Sequence, residues 1–345
     1  MQAFPFYQLF LSWTFRRKSA TIASKFLRKG DIVTENFLVS LNTVLPLFLS
    51  IGIGILARHR SWISTAAARE ANGLCFKVFV STLLFYNIYT ADLKSALSPR
   101  LLTLCLICIL LEFTLGMLLM PRIEAANPAR GVLIQSCFRT NCILMGIPIA
   151  TSLYGAGQIG PVAVLSPFAS MFFNILAVIT LELFRRNTPD PKKILRGIAT
   201  NPLIIAAVLG VVCNLAGLRL TGFAESTVSS IAKAASPMSL VLMGASLNFG
   251  RMKQMGRNLL LSCLLRLAVF PAVFVSAAAA LGLRGSALCT VLVIFATPVA
   301  VNSYTMALQM DGDADLAGGV ILSTTAVSCV TLFLWIWLLK SLGLL

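Results

Sequence analysis

Asn141-Cys-Ile-Leu-Met-Gly-Ile-Pro148-Ile-Ala150 and Ala296-Thr-Pro298-Val-Ala-Val-Asn302-Ser-Tyr304 decide the fold of this chain. Each places a proline and an asparagine inside a long apolar run, where a membrane helix should be unbroken, and the first adds a glycine. In hydrocarbon every backbone amide and carbonyl must be satisfied by the protein, so a break is tolerated only where it is buried or lines a watery cavity. Paired breaks in the two halves of a chain point to a secondary carrier with a substrate site built from half-helices near the midplane.

The rest of the sequence agrees with a bilayer protein. Of 345 residues, 58% are hydrophobic and 12% charged, and mean hydropathy is +0.88, which leaves too little polar surface for a water-facing globule. A span needs roughly 20 apolar residues. Ten are expected, at 37–57, 73–91, 101–120, 132–153, 158–184, 201–219, 226–247, 258–282, 286–309 and 315–340. A β-barrel would alternate over short strands, and this chain does not.

The nine cysteines are scattered through the spans and read as small apolar packers. Cys105-Leu-Ile-Cys108 has metal-like spacing but no partner pair, and His59 is the chain's single histidine, so neither metal nor disulfide is expected. Nucleophile elbow, phosphate loop and metalloprotease signature are absent, so no enzyme and no cofactor are expected. The net charge of +16 could suggest nucleic acid, but the Lys and Arg are spread over short loops, as membrane topology requires. Fourteen follow spans 1, 3, 5 and 7, from Arg58 to Arg257, against six on the opposite side from span 1 onward. The positive-inside rule makes the first set cytoplasmic and puts both core termini outside.

Pro46-Leu-Phe-Leu-Ser-Ile-Gly opens span 1 as Pro202-Leu-Ile-Ile-Ala-Ala-Val opens span 6, an offset of 156, and Pro298 follows Pro148 by 150. Two similar offsets argue for a duplicated five-helix unit, inverted because five is odd. The alternative is that prolines are simply common in membrane helices. Arg185-Arg-Asn-Thr-Pro-Asp-Pro-Lys-Lys193 marks the boundary between the halves.

The string Arg139-Thr-Asn-Cys-Ile-Leu-Met-Gly-Ile-Pro-Ile-Ala-Thr-Ser-Leu-Tyr-Gly155, together with Tyr304-Thr-Met-Ala-Leu-Gln-Met-Asp-Gly-Asp-Ala-Asp-Leu-Ala317 and Leu322-Ser-Thr324, resembles the auxin efflux carrier family of permeases. That family includes the plant auxin exporters and many bacterial carriers. The similarity runs from about Phe37 to Leu339. It implies ten helices in two inverted repeats, broken helices 4 and 9 crossing at the substrate site, and distant kinship with bile acid:sodium symporters. Many members carry a proline in helix 2, where this chain reads Phe79-Val-Ser-Thr-Leu-Leu84, so a kink there is not implied.

The resemblance begins near Asn36, whereas Arg16, Arg17, Lys18, Lys25, Arg28 and Lys29 precede it on the side expected outside. Initiation near Val33 is the expectation, with an amphipathic surface helix as the alternative. A signal peptide fits worse, because the apolar stretch Phe4–Phe15 precedes its charges.

Glu112, Arg139 and Arg266 are ionisable groups within spans, each about 10–12 Å below the cytoplasmic ends at about 1.5 Å per residue. One Arg is expected to pair with Glu112, leaving the other either snorkelling or free to draw anions toward the breaks. Asp311, Asp313 and Asp315 read as a solvated loop cap, with a cation site as the alternative. Each break should begin a half-helix whose positive amino-terminal end suits a carboxylate. The side-chain amides of Asn141 and Asn302 would either fix that carboxylate or only bridge freed backbone groups.

The expected architecture is therefore an all-α polytopic membrane protein of ten transmembrane helices, as two inverted five-helix repeats with broken crossover helices 4 and 9. Its segments would be 1–35, a basic extension; 36–184, the first repeat; 185–200, a cytoplasmic linker; and 201–345, the second repeat. The expected function is export of a small organic anion, such as a carboxylate or amino-acid-like compound, across a bacterial cytoplasmic (inner) membrane. Candidate substrate-binding residues are Asn141, Gly146, Ile147, Pro148, Pro298, Asn302, Ser303, Tyr304, Arg139 and Arg266. The partners expected are the lipid bilayer and the anion, not nucleic acid, with a homodimer left open. A cation-coupled symporter and a non-transporting membrane sensor component are the alternatives; a sensor should carry a soluble signalling domain, and no stretch is long enough to be one.

Overall fold

The computed structural model describes residues 44–91, 99–185 and 191–345. The basic amino-terminal segment, Lys94 and Arg186 lie outside the described residues. Fourteen helices follow in chain order: α1 Val44–His59, α2 Thr65–Tyr89, α3 Pro99–Ile123, α4 Asn127–Phe138, α5 Cys142–Tyr154, α6 Gly160–Leu183, α7 Pro191–Ala199, α8 Pro202–Leu215, α9 Phe223–Ser246, α10 Phe249–Gln254, α11 Gly256–Ala280, α12 Gly285–Ala296, α13 Asn302–Gln309 and α14 Ala314–Ser341. By length and composition, α2, α3, α6, α9, α11 and α14 are long and apolar enough to cross a bilayer. The apolar helices α1, α5, α8 and α12 are shorter. No strand occurs among the described residues.

The long apolar runs form helices because a helix alone satisfies its own backbone away from water. Their exposed faces are apolar as well: Leu45, Leu49, Ile53 and Leu56 lie along α1, and Ile205, Val208, Leu209, Val212 and Leu215 along α8, all outside the core. Stripes of this kind need an apolar solvent. Inside, α2 packs on α8 and α9, α3 on α4, α6 on α4 and α12, and α11 on α12 and α14.

Small residues bring helix backbones together where no large side chain fits. A methyl group at Gly54 of α1 would overlap the Val241 carbonyl of α9, and one at Gly244 of α9 would overlap the Ile51 carbonyl of α1. Gly210 of α8 likewise faces the Phe85 carbonyl and Ile88 of α2. The end of α2 is then held by Asn214, whose Nδ2 donates to the carbonyls of Ile88, Tyr89 and Ala91 at 3.0, 2.9 and 2.7 Å.

Helix α2 has no proline but does have a π turn, Cys75–Val80. The Ser81 hydroxyl donates to the Phe76 carbonyl at 3.0 Å and so supports the irregular turn. On the loop side of α3, Glu124 accepts from the Ala126 amide at 3.0 Å and from Asn258 Nδ2 at 2.7 Å. Those bonds, the Ala126 amide first, hold its carboxyl below the usual range.

Candidate functional site

Helix α4 ends at Phe138, and Arg139 leaves it in extended conformation, ψ 117°. The chain resumes as α5, which opens with a π turn, Cys142–Gly146, and continues as an α-helix from Ile147. Pro148 therefore sits not in the break but just after the π turn. A proline lacks an N–H and clashes with the carbonyl four residues back, and a wider turn before it is a natural accommodation. In the second half of the chain α12 ends at Ala296 and α13 begins at Asn302, with Pro298 between them.

The two breaks satisfy each other. Asn141 N–H donates to the Pro298 carbonyl at 2.8 Å, and Thr140 and Val299 form an antiparallel bridge. Val299 N–H donates to Thr324 Oγ1 at 3.4 Å. Residues about 160 positions apart thus join the backbones of the two interrupted helices, as burial away from water demands.

Arg266, fully buried in the π turn Leu265–Val269 of α11, holds the ends of α4 and α12 together. Its guanidinium donates to the carbonyls of Cys137 (2.7 Å), Ile294 (3.1 Å), Phe295 (2.5 Å) and Thr297 (3.2 Å) and pairs with Glu112 Oε1 at 3.2 Å. The last carbonyls of a helix have no partner within it, and one planar guanidinium with five N–H donors serves two such ends at once.

Arg139 is placed differently. It is 2% exposed, and Nη2 donates to Asn174 Oδ1 at 2.8 Å while Nη1 donates to Gln135 Oε1 at 3.1 Å and contacts Met306 Sδ. Among the described residues no carboxylate pairs with it. It lines a cavity of about 510 Å³ of empty space, mouth included, together with Thr140, Asn141, Asn302, Asn87, Ser170, Asn174 and Ser236 and the apolar Leu83, Ile143, Leu144, Phe173 and Val301. Asn141 Nδ2, Asn302 Oδ1 and Thr140 Oγ1 are buried there without a hydrogen-bond partner. Unpaired buried polar atoms each cost about 1–3 kcal/mol, so this set calls for a hydrogen-bonding partner in the cavity, water or solute. The first turns of α5 and α13 border the same cavity, adding partial positive charge.

Of the residues expected from sequence, Arg139, Asn141 and Asn302 meet at this cavity. Gly146 packs α5 on α12, where a methyl group would overlap Val293. Ile147 and Pro148 form the first α-helical turn of α5, and Pro298 contributes its carbonyl to Asn141. Ser303 is buried with its hydroxyl unpartnered. Tyr304 faces a second, larger hollow with Thr65, Arg69, Ser246, Arg251 and the 311–315 loop. There Asp313 caps α14 by accepting from Leu316 N–H at 3.0 Å, Asp311 pairs with Arg185 at 2.7 Å, and Asp315, in the first turn of α14, pairs with Arg251 at 2.5 Å. Asn87, Gln135, Ser170, Asn174 and Ser236 were not singled out from sequence. An asparagine within an apolar span, as at 87 and 174, was the available signal.

The profile of a family described as membrane transport protein matches residues 39–336. The chain is similar to an uncharacterized transporter of Methanothermobacter thermautotrophicus, 24% identical over 301 residues that cover 87% of this chain and 98% of the relative. It is also similar to an uncharacterized transporter of Methanocaldococcus jannaschii, 20% identical over 311 residues covering 88% and 99%.

Proposed function

Because the chain belongs to the auxin efflux carrier family of membrane transport proteins, we propose that it is a secondary carrier that exports a small organic anion across a bacterial inner membrane. Its ten crossings are two inverted five-helix repeats: α1, α2, α3, α4 with α5, and α6, then α8, α9, α11, α12 with α13, and α14. Helices 4 and 9 are the broken pairs, and the substrate sits where they cross.

The observation that carries this reading is Arg139, a cation at a cavity with no carboxylate partner among the described residues, beside the unpartnered Asn141 Nδ2 and Asn302 Oδ1. Arg139 and Asn141 Nδ2 donate to a carboxylate, and the two half-helix amino termini reinforce the attraction. Asn302 Oδ1 accepts from a donor on the same molecule, and the apolar wall takes its hydrocarbon. With the interior negative, each exported negative charge gains about 2.3 kcal/mol per 100 mV, so uniport suffices to drive a monocarboxylate outward.

Asn141→Ala should weaken binding about tenfold to a hundredfold, the range for a hydrogen bond to a charged group, and Asn302→Ala about twofold to tenfold, the range for an ordinary one, both with little change in thermal stability. Solid-supported-membrane currents from proteoliposomes challenged with a panel of mono- and dicarboxylates read this out. Wild-type currents and affinities in both variants would overturn the site.

The charge bias places α10 inside and the α8–α9 connection outside. In a background lacking the nine native cysteines, Cys introduced at the exposed Lys253 should react with an impermeant maleimide only in opened cells. Cys at the exposed Leu218 should react in intact ones. The reverse pattern inverts the topology and removes the argument for export.

A further inference from the structure

Helix α7, Pro-Lys-Lys-Ile-Leu-Arg-Gly-Ile-Ala, lies between the end of α6 at Leu183 and the start of α8 at Pro202. Its inner face is fixed. Ile194 is half-buried, Ile198 packs against the core, and Gly197 rests so closely on the Glu182 carboxylate that a methyl group there would overlap it. Glu182 pairs with Arg185 at 3.4 Å and Arg185 with Asp311 at 2.7 Å, so this support reaches the loop between α13 and α14.

The outer face is of another kind. Lys192, Leu195 and Arg196, spaced i, i+3 and i+4, are all exposed, Leu195 to 68%. Among the described residues no carboxylate pairs with Arg196. An exposed leucine between two cations suits a basic helix lying in the headgroup layer, where the cations meet phosphate while the apolar side chain enters the acyl boundary.

We propose that the outer face of α7 binds the headgroup of an anionic membrane phospholipid, with Lys192 and Arg196 on the phosphate and Leu195 against the acyl chains. The bound lipid then steadies a helix whose other face is linked through Glu182, Arg185 and Asp311 to the segment after the second broken helix. The inference needs only a chain in a bilayer, not the proposed cargo. A lipid-binding assay therefore fails independently of the transport assays.

The test is native mass spectrometry of the full-length protein in detergent, titrated with dioleoylphosphatidylglycerol or dioleoylphosphatidylcholine. The wild type should retain phosphatidylglycerol in preference to phosphatidylcholine. Lys192→Gln with Arg196→Gln should weaken phosphatidylglycerol binding roughly twenty-five-fold, each charge contributing about fivefold. Both residues are exposed, so gel filtration should show an unaltered fold. In vesicles containing brominated acyl chains, Leu195→Trp should add an emission that the bromine quenches. Equal retention of the two lipids by the wild type, or wild-type affinity for phosphatidylglycerol in the double variant, overturns the proposal. So does an unquenched Trp at position 195.

Discussion

Arg266→Gln should yield little protein that survives purification, and what survives should melt far below the wild type. The substitution leaves Glu112, wholly buried, without its cation, and it frees the carbonyls of Cys137, Ile294, Phe295 and Thr297. Breaking a buried pair from one side costs about 3–5 kcal/mol, and each stranded carbonyl adds about 1 kcal/mol or more. Against a typical total stability of about 5–15 kcal/mol, that loss is most of what holds a protein together.

Arg139→Gln should behave differently in kind. Its partners, Gln135, Asn174 and Met306, are neutral, so its removal strands no charge. That variant should fold and lose affinity for anions. Melting followed by fluorescence-detected gel filtration, beside proteoliposome currents, separates the two. Wild-type melting in Arg266→Gln, or equal stability losses in both variants with unchanged affinity, would refute the division of labour.

Gly244→Ala should destabilise by about 3 kcal/mol or more, the upper range for overpacking, because the added methyl group meets the Ile51 backbone carbonyl rather than a side chain that can turn away. Gly54→Ala should match it from the other side of the contact, against the Val241 carbonyl. Gly52, two residues earlier on α1, has open space where its Cβ would be, so Gly52→Ala is the control and should be nearly neutral. Equal melting temperatures in the three variants would show that α1 and α9 do not meet through these glycines.

The breaks were legible because their chemistry is local. A proline and an asparagine in an apolar run announce backbone that cannot close on itself, and both runs do hold an interruption. Where the first interruption falls was less legible: Pro148 follows a π turn, and the chain opens at Arg139–Asn141, seven or more residues earlier. Which arginine pairs with Glu112 was not legible at all. Arg139 and Arg266 lie at similar depth along their spans, and only the packing of α11 beside α3, α4 and α12 assigns Arg266 to the carboxylate. Gln135 escaped notice for the same reason, since its meaning depends on the guanidinium it holds, and Asn174, though an asparagine in an apolar span, gave no sign of which group it would meet. Tyr304, two residues from Asn302, faces the other hollow because a step of two residues turns about 200° around a helix.

The tie at Arg266 also orders events in time. Glu112 and the Cys137 carbonyl leave the ribosome long before their partner, which follows Glu112 by 154 positions. At about 5–20 residues per second that interval is roughly eight to thirty seconds. Throughout it the nascent first half carries a carboxylate and an open helix end with nothing to neutralise them, and the Asn141 amide likewise awaits Pro298. Until α11 emerges, the first half therefore lacks the native partners of that carboxylate and of that helix end.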